Sequence, residues 1–323
     1  MSGVLVLVEI VDGAPDRLSL EAVRFASGLG GSLEAAVIGA PGVAGAAAGL
    51  GAYGVATVHV VEDERLAAYS AAAAASGLAA IIDGGSFDAV VAPGSERGTE
   101  ILAHVAARRG APMAANVVAV ETGERWQVTR QRWAGSLLED AYLDGSPRLL
   151  SVAAHVVAAA EPVAGAGTAV VAPVVADISE GDLRARVSGI ERTASDKVSL
   201  AEAKVVVGGG RGLGSAEAFA MLDELADLLG GTVGVSRVAT SLGWRPHAQQ
   251  VGQTGTRIAP DLYIACGISG AIQHIVGCKA AKRILVINTD PDAPIFGRAT
   301  YAVIGDVHQV VPAIMAEIRR VRA

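Results

Sequence analysis

Cysteine is scarce: the 323 residues hold two, Cys266 and Cys278. They form no C-x-x-C pair and sit in apolar runs, so they read as small core residues, and neither a disulfide framework nor a zinc site is expected. Positive charge is also in deficit, with 26 Lys and Arg against 33 Asp and Glu and a formal net charge of −7. Nucleic-acid binding and polybasic membrane attachment both need a positive field, so both are disfavoured, while small acidic ligands and protein partners stay open. Long hydrophobic runs are missing as well. The longest apolar tract, 149–175, is interrupted by His155, Glu161, Pro162, Gly165 and Gly167, which would leave polar and helix-breaking groups in lipid. It reads instead as two strands and a turn. The opening run MSGVLVLVEIVDG is too short to span a bilayer and carries no basic leader or small-residue cleavage pattern. It reads as the first buried strand of a cytosolic protein.

What is present is apolar and globular, 51% hydrophobic and 18% charged, and the length suggests two domains with a core each. Strand-like runs at Val4–Val11, Leu33–Ile38, Val55–Val61 and Ala89–Ala92 alternate with helical stretches at Leu18–Leu29, Arg65–Asp83 and Thr99–Arg109. That rhythm predicts an α/β domain with a parallel sheet covered on both faces. After Gly110 the runs NVVAVE, ERWQVTRQRWAG and RLLSVAAHVVAAA alternate at period two, which predicts antiparallel strands added at the sheet edge. A polar stretch of mixed charge follows Val175. The expected division is a first domain over 1–190, a linker over 191–203 and a second domain over 204–323.

The second domain restarts the βα pattern with VVVGGGRGLGSAEAFAMLDELADLL, Val205 to Leu229. A strand, a glycine turn and a helix make a plausible anion cradle, because glycine lets backbone approach a phosphate and a helix start offers free N–H groups. The glycines fit neither G-x-G-x-x-G nor a Walker loop. What stands out is Arg211, a fixed cation inside the turn. Phe219, Leu222, Ala226 and Leu229 fall on one face of the helix predicted over 215–229. In a doubly wound sheet the ligand sits beyond the carboxyl ends of the strands. Polar residues collect there: Arg211 after the first strand, Ser236 and Arg237 after the second, Ser269 after the third, Asn288 after the fourth and Asp306 after the last. Ser269 reads as a helix N-cap, with Gly270 and Ala271 presenting N–H groups to an anion and Gln273 and His274 one turn further in.

Taken together, GGRGL, SR, QVGQTG, GISGAIQH, DPDAPIF and the late Asp306 closely resemble the FAD domain of the electron transfer flavoprotein α subunit. The likeness is specific over 204–323 and weaker over 1–203. It implies a first domain of nucleotide-hydrolase-like fold that serves subunit pairing, followed by a flavodoxin-like, doubly wound FAD-binding domain. It places Arg211, Ser236 and Ser269 with its following helix (Gly270, Ala271 and Ile272) at the FAD pyrophosphate, and Arg237 against the isoalloxazine ring. It puts Thr254 near flavin N5, His274 by the pyrimidine carbonyl, Val251, Gly252, Gln253 and Gln273 around the ring, and Asn288 and Asp306 at the adenosine end. A fixed cation and a hydrogen-bond donor beside the pyrimidine edge would favour the negative charge that reduction places there. Histidine could supply a donor, or a charge if its pKa were raised.

The resemblance also implies a β-subunit partner carrying AMP or a second FAD. Dehydrogenases, such as acyl-CoA dehydrogenases, would be the electron donors, and a quinone-reducing oxidoreductase the acceptor. A carrier of this kind would work in the bacterial cytoplasm without inserting into the membrane. Competing readings are an oxidoreductase, flavin- or nicotinamide-dependent, with its own substrate pocket, and an adenine-nucleotide-sensing protein. No convincing nucleophile–base or metal constellation accompanies the glycine turn, which fits a carrier whose chemistry passes through the cofactor.

Overall fold

The computed structural model describes residues 3–135, 137–189 and 198–322, and the chain divides into two compact units, 1–192 and 193–323. The linker expected over 191–203 lies outside the described residues as far as residue 197.

Unit one contains strands β1 (Gly3–Val8), β2 (Ile10–Val11), β3 (Ala14–Pro15), β4 (Leu33–Gly39), β5 (Thr57–Glu62), β6 (Phe87–Ala92), β7 (Met113–Glu121), β8 (Trp126–Arg132), β9 (Leu137–Leu143), β10 (Arg148–Val152) and β11 (Val170–Pro173). Its helices are α1 (Arg17–Ser27), α2 (Ala44–Ala47), α3 (Ala71–Gly84) and α4 (Glu96–Arg109). Apart from the small β2–β3 hairpin, the strands join one sheet in the order β11-β5-β4-β1-β6-β10-β7-β8-β9. The apolar run of β1 is buried on both faces: Val4, Val6 and Val8 pack with Ala22, Val23 and Ala26 of α1, and Leu5 and Leu7 with the inner faces of α3 and α4. Such a run belongs in a covered parallel sheet. Local signals set the helix ends. The Asp16 carboxylate accepts the N–H groups of Leu18 and Ser19 at 2.9 and 3.3 Å, and the Ser95 hydroxyl accepts that of Gly98 at 2.8 Å.

Two expectations are corrected in this unit. The run beginning RLLSV is not an edge strand: β10 lies between β6 and β7 and is parallel to both. Leu149, Leu150, Ser151 and Val152 are all buried, the mark of a central strand, and only β8 and β9 form the antiparallel edge, as a meander from β7. The helix expected from Arg65 starts at Ala71, because Asp63 caps a separate 3-10 turn over Glu64–Ala67 and Ser70 caps α3.

Unit two contains β12 (Val205–Gly209), α5 (Phe219–Leu229), β13 (Thr232–Val235), α6 (Arg237–Ser241), β14 (Leu262–Cys266), α7 (Ile272–Cys278), β15 (Ile284–Asn288), β16 (Tyr301–Ile304) and α8 (Val307–Arg322). The strands form a parallel sheet in the order β13-β12-β14-β15-β16, which is the doubly wound, flavodoxin-like 2-1-3-4-5 arrangement. One face, with Val207, Ile264 and Ile287, packs on α5 and α8. The other, with Val206, Tyr263 and Val286, packs on Ile258, Cys278 and Ile295. The helix expected over 215–229 begins later, at Phe219, after a 3-10 turn over Arg211–Leu213 that Gly214 ends. Both cysteines are free and buried, and burial pushes each thiol up to about 12, so they serve as core residues.

Candidate functional site

A cavity of about 680 Å³ opens beyond the carboxyl ends of β12, β13, β14 and β15, within the range of about 300–1,000 Å³ usual for ligand pockets. It sits at the switch point of unit two, where β12 is flanked by β13 on one side and β14 on the other. Of the residues expected to hold a cofactor, Arg211, Ser236, Arg237, Val251, Gly252, Gln253, Thr254, Ser269, Gly270, Ala271, Gln273, His274 and Asn288 line it.

The floor is built by close backbone approaches. A Cβ on Gly210 would lie 2.3 Å from the Gly267 carbonyl oxygen, and one on Gly212 would lie 2.7 Å from the Gly267 Cα, so the turns after β12 and β14 touch with no room for a side chain. Gly270 has φ +84, and a Cβ there would lie 2.6 Å from Ile295, a left-handed and crowded position suited to glycine. The loop 250–256 packs on α7 in the same manner: the Gln253 N–H donates to the Gln273 carbonyl at 2.8 Å, and a Cβ on Gly277 would meet Gly252 at 2.3 Å.

On this floor stand polar groups without protein partners. Ser236 precedes α6 but does not cap it, and its buried Oγ makes no hydrogen bond among the described residues. Arg211 and Arg237 are exposed at the rim, and neither forms an ion pair among the described residues. His274 is 6% exposed. Its Nε2 meets the Tyr263 hydroxyl at 2.8 Å, and its buried Nδ1 makes no well-formed hydrogen bond among the described residues. Burial pushes the imidazole pKa down to about 4, against the opposing pull of the Val251 backbone, so His274 is neutral at pH 7. The lowered pKa favours the reading of a donor over that of a charge.

Other expected residues make contacts different from those expected. Ser269 is not a cap: α7 begins at Ile272 after Ala271, while the exposed Ser269 accepts the Ile295 N–H through its carbonyl at 3.1 Å. Ile272 is 71% exposed and stands outside the lining. Asn288 lines the cavity but holds the loops around it, its Nδ2 donating to the Ile268 carbonyl at 2.9 Å and its Oδ1 accepting the Asp290 N–H at 3.0 Å. Asp306 is away from the lining. Its carboxylate accepts the His308 N–H at 2.9 Å and so starts α8.

The structure adds two residues that sequence reasoning passed over. Gln250, 2% exposed, bonds Thr240 at 2.8 Å and Thr254 at 3.0 Å, fixing the Thr254 hydroxyl. Its sequence signal was a polar residue preceding the apolar Val251 in an otherwise glycine-rich loop. Tyr263 is fully buried in β14, where a strand aromatic gives no hint that its hydroxyl is used. Among the described residues no group of His, Cys, Asp or Glu could hold a metal ion, and no helix is long and apolar enough to cross a membrane.

The cavity can therefore take a ligand with an anionic group met by Arg211 and Ser236 and with polar groups met by His274 and Thr254. Two family models match the chain: one described as the electron transfer flavoprotein domain over residues 4–179, and one described as the electron transfer flavoprotein FAD-binding domain over 199–279. The electron transfer flavoprotein subunit alpha of Syntrophomonas wolfei is 36% identical over 321 residues, covering 99% of this chain and 100% of that protein. The subunit of the same name from Mycobacterium tuberculosis is 39% identical over 320 residues, covering 99% of each. That of Bacillus subtilis is 34% identical over 319 residues, covering 98% of this chain and 97% of the relative.

Proposed function

The chain belongs to the electron transfer flavoprotein α-subunit family, and from that premise we propose that it binds FAD in the unit-two cavity and carries electrons between other proteins as one half of a heterodimer with a β subunit. The observation that carries this reading is the pair of buried polar atoms, Ser236 Oγ and His274 Nδ1, left without hydrogen-bond partners among the described residues, in a cavity also lined by Arg211 and Arg237. A buried polar group without a partner costs free energy, and a ligand that supplies one removes that cost.

FAD, when bound, supplies the electron-accepting ring. Arg211, Ser236 and Ser269 hold the pyrophosphate, with arginine giving charge-assisted hydrogen bonds that no change in pH removes. Arg237 would favour negative charge on the bound isoalloxazine. Thr254, steadied by Gln250, would offer its hydroxyl to the ring, which Gln253 and the surrounding loop would line. His274 would act as a hydrogen-bond donor toward the pyrimidine side. Asn288 shapes the wall at the adenosine end. The electrons come from dehydrogenases, acyl-CoA dehydrogenases among them, and leave to a quinone-reducing oxidoreductase, and the partner subunit holds AMP or a second FAD. The reading places this exchange in the cytoplasm.

Visible absorption of the coexpressed complex, followed by release and identification of its cofactors, tests the proposal. A yellow protein releasing FAD from the α chain is expected. A colourless complex that binds only an adenine nucleotide would overturn it.

A further inference from the structure

Tyr263 and His274 form a pair whose polarity can be worked out from its surroundings. The Tyr263 hydroxyl is fully buried and lies against the backbone of Gly208, where a Cβ would come within 2.2 Å of it. Its only hydrogen-bond partner among the described residues is His274 Nε2, at 2.8 Å. A neutral imidazole has one N–H and one bare nitrogen. If Nε2 carried the proton and donated to the tyrosine oxygen, the phenol proton would be stranded in the core with no acceptor, at the full cost of its desolvation. If the phenol donates to a bare Nε2, both groups are satisfied at that contact, and the imidazole proton is left on Nδ1. That nitrogen is buried and makes no well-formed hydrogen bond among the described residues, on a residue that lines the cavity.

We propose that Tyr263 is a positioning residue that locks His274 as the Nδ1–H tautomer, so that a neutral hydrogen-bond donor, and not an acceptor or a cation, faces the carbonyl edge of the cofactor. The inference rests on the FAD reading for the identity of the acceptor; the tautomer itself rests on the Tyr–His geometry alone. The phenol's donation to Nε2 also draws electron density from the ring and strengthens Nδ1–H as a donor, since linked hydrogen bonds polarise one another. A donor so held matches an oxygen that becomes more negative on reduction, whereas the opposite tautomer would set a lone pair against it. Tyr263 thus acts through His274 without touching the cofactor.

Nitrogen NMR of the histidine-labelled holo complex, combined with a redox titration, tests this. In the native protein His274 is expected to show a protonated Nδ1 and a bare Nε2; a protonated Nε2 in the native spectrum would overturn the proposal without any variant. Tyr263→Phe keeps the ring and removes the donor. It is expected to give mixed tautomers and to lower the potential for the first electron, in the same direction as His274→Ala and by less. If His274→Ala lowers the potential while Tyr263→Phe leaves both tautomer and potential at native values, the proposal falls and the FAD reading stands. If His274→Ala itself leaves the potential unchanged, the assignment of His274 to the flavin edge falls, and with it the proposed role for the donor.

Discussion

Arg211 and Arg237 carry the same charge at the ends of neighbouring strands, and the distinction between them is one of reach. Arg211 sits in the turn directly after β12, beside the glycine contacts that bring backbone close to an anion, whereas Arg237 opens α6 after β13. Arg211→Ala is therefore expected to lower FAD content, with the flavin that remains keeping a near-native potential. Arg237→Ala is expected to keep most of the flavin and to make its reduction harder. A charge-assisted hydrogen bond is worth about 1.5–3 kcal/mol, so each change should be measurable. Flavin-to-protein ratios and a redox titration of both variants check the pair, and a native potential in Arg237→Ala would return that residue to an ordinary surface role. His274 makes a separate prediction about acid. Its unfolded pKa is near 6.5 and burial holds the folded value to about 4, so between those values the unfolded chain binds the proton that the folded chain refuses. The stability is fully present above pH 6.5 and is lost as pH falls toward 4, by about 3 kcal/mol for a shift of this size. Urea unfolding between pH 7 and 4 should show the loss, and His274→Gln should make the curve flatter over that window.

At the scale of elements, the site depends on turns more than on helices. The turns after β12 and β14 meet at Gly210 and Gly267, where an added methyl would press on a carbonyl that belongs to backbone and cannot swing away. Gly210→Ala should cost about 1–3 kcal/mol as overpacking and reduce flavin content with it, read by urea midpoint and absorbance. Asp306 is the contrasting case: it starts α8 and does not line the cavity. Asp306→Ala should cost about 1 kcal/mol through the lost cap and leave flavin affinity close to native, which a titration of FAD into the stripped protein would settle. These two positions also mark how much was legible in the sequence. The parallel strands were, because runs such as Val4–Val8 bury consecutive residues, and so were the glycine turn and most of the polar groups at the strand ends. The position of β10 was not, because a short apolar run reads alike whether it adds at an edge or inserts between two distant strands. The true start of α3 was hidden behind a 3-10 turn of similar composition, and that of α5 behind a bend and turn over 215–218. Hydrogen-bond roles were hidden as well: that Asp306 starts α8 does not show in a strand-end acid, and the hydroxyl of Tyr263 was concealed inside an ordinary strand pattern.

At the scale of the whole molecule, the cavity lies in a unit of modest size. Its wall includes exposed groups, among them Arg211, Arg237, Gln253, Thr254 and Ser269, so a flavin bound there as proposed would meet water on that side. On the proposed reading, a ring that must exchange electrons has to stay near the surface, yet one left open to water would lose much of the electrostatic tuning proposed for Arg237 and His274, because a high dielectric weakens both. A second protein laid over the open side reconciles the two demands, and an α-subunit family implies such a partner. Binding of the partner to the folded, flavin-loaded chain should stabilise it by mass action, since a partner that recognises only the native state shifts unfolding in proportion to the logarithm of its concentration. The expected outcome is a one-to-one heterodimer whose melting temperature and flavin retention both rise with added β subunit, while the isolated α chain loses FAD on dilution. Sedimentation and flavin fluorescence over a dilution series measure this directly. An isolated α chain that stays monomeric, keeps its full complement of FAD and melts no lower than the complex would show that unit two shields and holds the flavin by itself.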